Sequence, residues 1–125
     1  VYKRNWRERE PILAHGTPAL DWLMMVRRSD AARIPDDPDG APMDRVRFFT
    51  RCTIEPGISR DDHKHADQEQ LYYIIAGKGW MTVDGERQPV RDGDLVYVPR
   101  QAMHNIGNDG QETLELLLLG VQLDQ

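Results

Sequence analysis

The chain has 125 residues, 16 Lys and Arg against 21 Asp and Glu, a net charge of −5 and one cysteine. That length suits one domain with a real hydrophobic core, and the acidic balance excludes nucleic acid as the expected partner, because phosphate binding needs a basic face. A lone cysteine excludes an intrachain disulfide, so nothing calls for an oxidising compartment and a cytoplasmic location is expected.

Taken in chain order, the first ten residues, VYKRNWRERE, are basic but diluted by Glu8 and Glu10, and read as a solvated end or a partner contact. No signal peptide is legible after Val1. Residues 1–19 show no clear period; Trp6, Ile12 and Leu13 are candidates to pack against the body of the domain. His15 falls in this stretch and is read as exposed. Residues 20–28, LDWLMMVRR, read as a strand ending in charge. Residues 29–44 hold three prolines, a glycine and five aspartates, the composition of an exposed loop, with a short helix at 29–34 as the alternative. Its length also suits a lid or a dimer-contact arm. This organisation divides the chain into an N-terminal extension, 1–44, packed on a barrel formed by 45–125.

Residues 45–55 alternate. Val46, Phe48, Thr50, Cys52 and Ile54 share one face; Arg45, Arg47, Arg51 and Glu55 share the other, with Phe49 as the exception. This predicts a half-buried strand carrying a structural thiol. Further strands are predicted at 71–76, 80–83, 87–90, 95–98, 104–106 and 113–121. Between 83 and 87, Asp84-Gly85 is a strong two-residue hairpin signal. Residues 116–119 form the longest aliphatic run, far too short to span a bilayer, so no membrane contact is expected. Short strands separated by turn residues predict an all-β sandwich or barrel.

The chemistry sits in HKHADQEQ, residues 63–70. On a strand His63 and His65 point the same way, so two imidazoles can reach one ion, and His104 is a natural third ligand from another strand. Taken alone, an H-x-H pair also fits surface histidines among charges. The wider spacing is more specific. After Gly57 come five residues, His63, one residue, His65, four residues, Gln70, six residues and Gly77. After Gly93 come five residues, Pro99, one residue, Gln101, two residues, His104, three residues and Asn108.

This pair of motifs resembles the two motifs of the cupin superfamily over residues 57–108. The resemblance implies a double-stranded β-helix, or jelly-roll, barrel with one divalent transition metal inside (Zn, Fe, Mn or Ni), and a homodimer. It implies His63, His65 and His104 as metal ligands, together with the carboxylate position of the first motif. That position is Glu69 if three residues follow His65 and Gln70 if four do. The six-residue gap to Gly77 favours Gln70. If Gln70 faces inward, Tyr72 and Ile74 do too, and Leu71, Tyr73 and Ile75 face a second apolar layer. Gln101 departs from the family by replacing a glycine of the second motif, a change expected to alter only a turn.

Three histidines and a neutral amide leave a divalent ion its full charge. That favours Lewis-acid chemistry on a small oxygenated, anionic or sugar-derived molecule. The expectation is a metal-dependent isomerase, ring-opening enzyme or lyase, with Tyr72 as the candidate proton-moving residue. An Fe(II) dioxygenase is the first alternative, and a non-catalytic binding or sensor protein the second. Arg60 and Arg100 flank the motifs and are candidates to hold an anion at the barrel mouth.

Overall fold

The computed structural model describes residues 1–13 and 19–123; His15 lies outside them. Nine strands are present among the described residues: β1 (Ile12–Leu13), β2 (Leu20–Val26), β3 (Val46–Ile54), β4 (Gln68–Ala76), β5 (Lys78–Val83), β6 (Glu86–Arg91), β7 (Leu95–Val98), β8 (His104–Gly107) and β9 (Leu114–Gln122). They form a six-stranded sheet, order β1-β2-β3-β9-β4-β7, and a three-stranded sheet, order β6-β5-β8. The sheets face each other as a jelly-roll barrel. No described helix is long and apolar enough to cross a membrane.

Alternation along the strands builds the core. In β4, Gln68, Gln70, Tyr72 and Ile74 are buried; in β9, Leu114, Leu116 and Leu118 are. The four-leucine run therefore divides between the two faces of its sheet, as a period of two requires. Cys52, Ile54, Met81, Val98 and Ile106 are among the other members of the core that Tyr72, Ile74, Leu114, Leu116 and Leu118 form. The β5–β6 connection is the expected hairpin: Asp84 and Gly85 carry φ of 48° and 83°, both positive as a type I′ turn demands.

Residues 29–44 are not the solvated loop that their composition suggests. Arg28–Arg33 and Pro38–Gly40 form short 3₁₀ turns, and Ile34 (2% exposed) and Ala41 pack on Leu23 and Val26 in a second apolar cluster. Asp36 and Asp37 pair with Arg9 and Arg4 of the N-terminal tail. The aspartates turn to solvent or to arginines while two apolar residues among them reach the sheet. Ile34→Ala should lower stability by about 2–4 kcal/mol, measured by chemical denaturation, because it empties a packed site; a change below about 0.5 kcal/mol, typical of surface positions, would contradict this packing.

The tail also covers the outer face of β2 and β3. The Arg51 guanidinium lies 3.6 Å from the Trp6 ring centroid and 4.6 Å from that of Trp22, and pairs with Glu115 at 2.8 Å. Trp6 thus packs as expected, whereas Ile12 and Leu13 pair as an edge strand and stay exposed. The outer face of β4 differs from expectation in another way. No second apolar layer covers it among the described residues: Tyr73 and Ile75 are 44% and 39% exposed, beside exposed Leu95 and Tyr97 of β7.

One local irregularity matters for the site. Val46 pairs with Val121 and Phe48 with Gly120, so β3 has one extra residue, Arg47, at a β-bulge. A bulge breaks the alternation of faces and re-aims a side chain.

Candidate metal centre

His63 and His104 are brought together by the backbone. They form an isolated antiparallel bridge in which His63 N–H donates to His104 O (3.1 Å) and His104 N–H to His63 O (2.9 Å). His65 is tied to the second motif by Gln101 N–H, which donates to His65 O at 2.8 Å. Gln101 adopts φ of 69°, the left-handed region glycine prefers, so this sequence keeps the turn despite the substitution. Asn108 closes the second motif structurally: its amide donates to the carbonyls of Ile54 and Glu112 at 2.8 and 2.7 Å.

The three histidines present one ligand nitrogen each, all within 4.8 Å of one another. Their tautomers follow from their partners. His63 Nδ1 lies 2.8 Å from Asp61 O, and His104 Nδ1 lies 2.9 Å from Ala102 O. A carbonyl only accepts, so each Nδ1 carries the proton and each Nε2 carries the lone pair, the usual preparation of a metal-binding imidazole. His104 is 1% exposed, and its Nε2 is buried with no hydrogen-bond partner. Such an atom is costly unless a ligand completes it. Burial, reinforced by neighbouring His63 and His104, lowers the His65 pKa to about 4; burial foremost also lowers that of His104. Both imidazoles are therefore neutral at neutral pH, with lone pairs available to a metal. By donor chemistry and by the orphaned Nε2, these residues fit a transition metal.

Gln70 and Glu69 are on opposite faces of β4. Gln70 is buried beside the histidines; its Nε2 donates to Gln68 Oε1 and its Oε1 accepts from the Tyr72 hydroxyl, both at 3.2 Å. Glu69 lies on the outer face, accepting from the Tyr97 hydroxyl at 2.8 Å. Tyr72 is fully buried, its ring 6.1 Å from that of His104. Burial pushes its phenol pKa up, so it holds its proton.

His63, His65, Gln68 and Gln70 open onto a cavity of about 290 Å³. Arg60 and, at the bulge, Arg47 also line it. Arg60 is 4% exposed and faces Asp21 of β2. Arg100 is exposed and does not line the cavity. A larger groove of about 650 Å³ runs along residues 77–78, 91–92 and 109–112, remote from the histidines.

Asp21, Arg33, Arg47 and Gln68 line the cavity without being marked by either motif. Periodicity can mark Gln68, two positions before Gln70 on the same face. Asp21 carries a signal, an acid inside the apolar run LDWL. Arg47 carries none, because strict alternation assigns it outward.

A barrel of this topology with an inward histidine triad defines a class of metal-binding jelly rolls. The family model for the cupin domain matches residues 50–120, and the chain belongs to that family. An uncharacterized protein of Methanocaldococcus jannaschii is 44% identical over 55 residues, 44% of each chain. An oxalate-binding protein of Thermotoga maritima is 33% identical over 79 residues, 63% of this chain and 65% of that protein. The chain thus spans less than two thirds of either relative. Among solved structures, a protein described as a predicted oxalate decarboxylase from Thermotoga maritima superposes with a TM-score of 0.79 at 23% identity, covering 98% of this chain and 100% of that one. At that identity the likeness shows the fold.

Proposed function

We propose that this cupin is a metal-dependent enzyme of the isomerase, ring-opening or lyase kind, acting on a small oxygenated anion. The observation that carries the reading is the inward Gln70 beside three imidazoles, a donor set without negative charge. His63, His65, His104 and Gln70 would hold one divalent ion, Zn, Fe, Mn or Ni. When bound, that ion supplies Lewis acidity toward a substrate carbonyl or carboxylate oxygen, undiminished by ligand charge. The protein's own groups do the rest. Tyr72 orients the Gln70 amide and keeps a proton on its hydroxyl oxygen; in this reading it is the proton-handling residue. Its own burial keeps bulk water away from it.

An Fe(II) dioxygenase would use the same histidines, and the oxalate-binding relative supports a binding protein with the same cavity and no reaction. The exposed apolar face of β4 and β7 is available to the second copy in a homodimer. Elemental analysis of protein purified without added metal should find close to one transition metal per chain. Candidate hydroxy- and keto-acids should then be converted without oxygen uptake, followed by NMR and an oxygen electrode. If no metal co-purifies and none binds on addition, the reading fails; oxygen uptake by the iron-loaded protein would favour the dioxygenase.

A further inference from the structure

We infer that Arg47 and Arg60 form a second anion-binding point in the metal cavity, so that its ligand is a small dicarboxylate. One carboxylate would sit at the histidines and the other at the guanidiniums. The inference rests on the metal reading above and narrows its substrate class.

Three buried side-chain nitrogen or oxygen atoms among the described residues lack a hydrogen-bond partner: Arg47 Nε, Arg60 Nε and His104 Nε2. Arg47 and Arg60 line the cavity, and His104 belongs to the triad beside it. Buried polar groups are normally satisfied, so three orphans gathered at one place mark where a ligand is missing. His104 Nε2 carries a lone pair and awaits a metal, whereas the two guanidinium Nε atoms can only donate, so the group those two await is an acceptor and an anion.

The carboxylates already near these arginines do not saturate them. Arg60 reaches Asp21 at 3.3 and 3.4 Å, and Arg47 reaches Asp67 at 3.3 Å. Arg60 Nη1 also contacts Cys52 Sγ at 3.6 Å. Neither arginine has a partner at Nε, which leaves that donor for a ligand. Arg33 also lines the cavity, so three arginines face it against one aspartate, Asp21. A guanidinium presents paired parallel donors that match a carboxylate. A volume of about 290 Å³ lies at the small end of ligand pockets, which selects a molecule of few carbons.

The test is calorimetric titration of metal-loaded protein, its metal content assayed beforehand. Malonate is compared with propionate and succinate with butyrate, pairs of equal carbon number. At least one diacid should bind about 10-fold tighter or more than its monoacid, the scale of one charge-assisted pair. Arg60→Gln should abolish that preference and leave the monoacid within about 3-fold, well under one such pair. Because Arg60 is buried against Asp21, Arg47→Gln is the second variant, and it too should weaken the diacid selectively. Melting temperature and metal content certify that each variant is folded. A wild-type protein that takes up metal but binds diacid and monoacid alike overturns the inference and leaves the metal reading intact. A preference that survives in both variants overturns it too, as does inorganic phosphate binding tighter than every diacid. A chain that takes up no metal overturns both readings.

Discussion

His104→Ala should lose metal without losing the fold. Affinity should fall by at least about 100-fold, since even residues that merely orient metal ligands cost 10–100-fold when removed. In the metal-free protein two opposing effects meet. His104 Nδ1 makes one hydrogen bond to Ala102 O, worth about 1 kcal/mol. Its buried Nε2 has no partner, a penalty of about 1–3 kcal/mol that the substitution removes. These offset, but emptying so buried a position adds a packing loss, so the metal-free variant should melt several degrees below wild type and the metal effect is read against that baseline. The rise on adding metal should vanish; in wild type it reflects about 2.7 kcal/mol at one hundred times Kd. Differential scanning fluorimetry with and without metal reads both quantities. Retention of the metal-induced rise in the variant would remove His104 from the ligand set.

Gln70→Glu should reverse the balance between metal-free and metal-loaded states. Without metal, a carboxylate at this position is buried with the Gln68 oxygen 3.2 Å from the atom it replaces, two acceptors face to face. The metal-free variant should lose about 1–3 kcal/mol. With metal, the new charge sits in the ligand set, and affinity should rise by roughly 10-fold or more even at the damped electrostatics of a protein interior. Anion binding at the metal should weaken at the same time, because the ion's charge is now partly compensated. Glu69→Gln is the matched control: that residue bonds Tyr97 on the outer face, and metal affinity should not change. Competition against a chelating dye measures each case. Loss of metal on changing Glu69, with none on changing Gln70, would reverse the ligand choice.

Much of the fold and of the site is legible in the amino-acid sequence, for identifiable reasons. Alternation in β3, the Asp84-Gly85 hairpin and the motif spacings are local, and local signals survive in a single sequence. The choice between Gln70 and Glu69 is harder, because Leu71–Tyr72–Tyr73–Ile74–Ile75 is apolar on both faces. Pairing with β9 and β7 places Gln70 inside. What is not legible depends on partners distant in sequence. Ile34 is buried because Leu23 and Val26 lie under it, and nothing within residues 29–44 announces that. Asp21 reaches the cavity because β2 joins the sheet beside β3, outside residues 50–120 that the family model covers.

The bulge at Arg47 has a consequence for how such a cavity diversifies. On a regular strand, the direction of a side chain is tied to that of its neighbours, so altering the lining disturbs the packing on both sides. An extra residue is released from that constraint. Val46 and Phe48 pair with Val121 and Gly120 on either side of it. Position 47 is therefore a site where ligand preference can drift by single substitutions while the barrel and the histidines stay constant. A collection of variants at this one position, screened for which acids they bind, samples new specificities at little cost to folding.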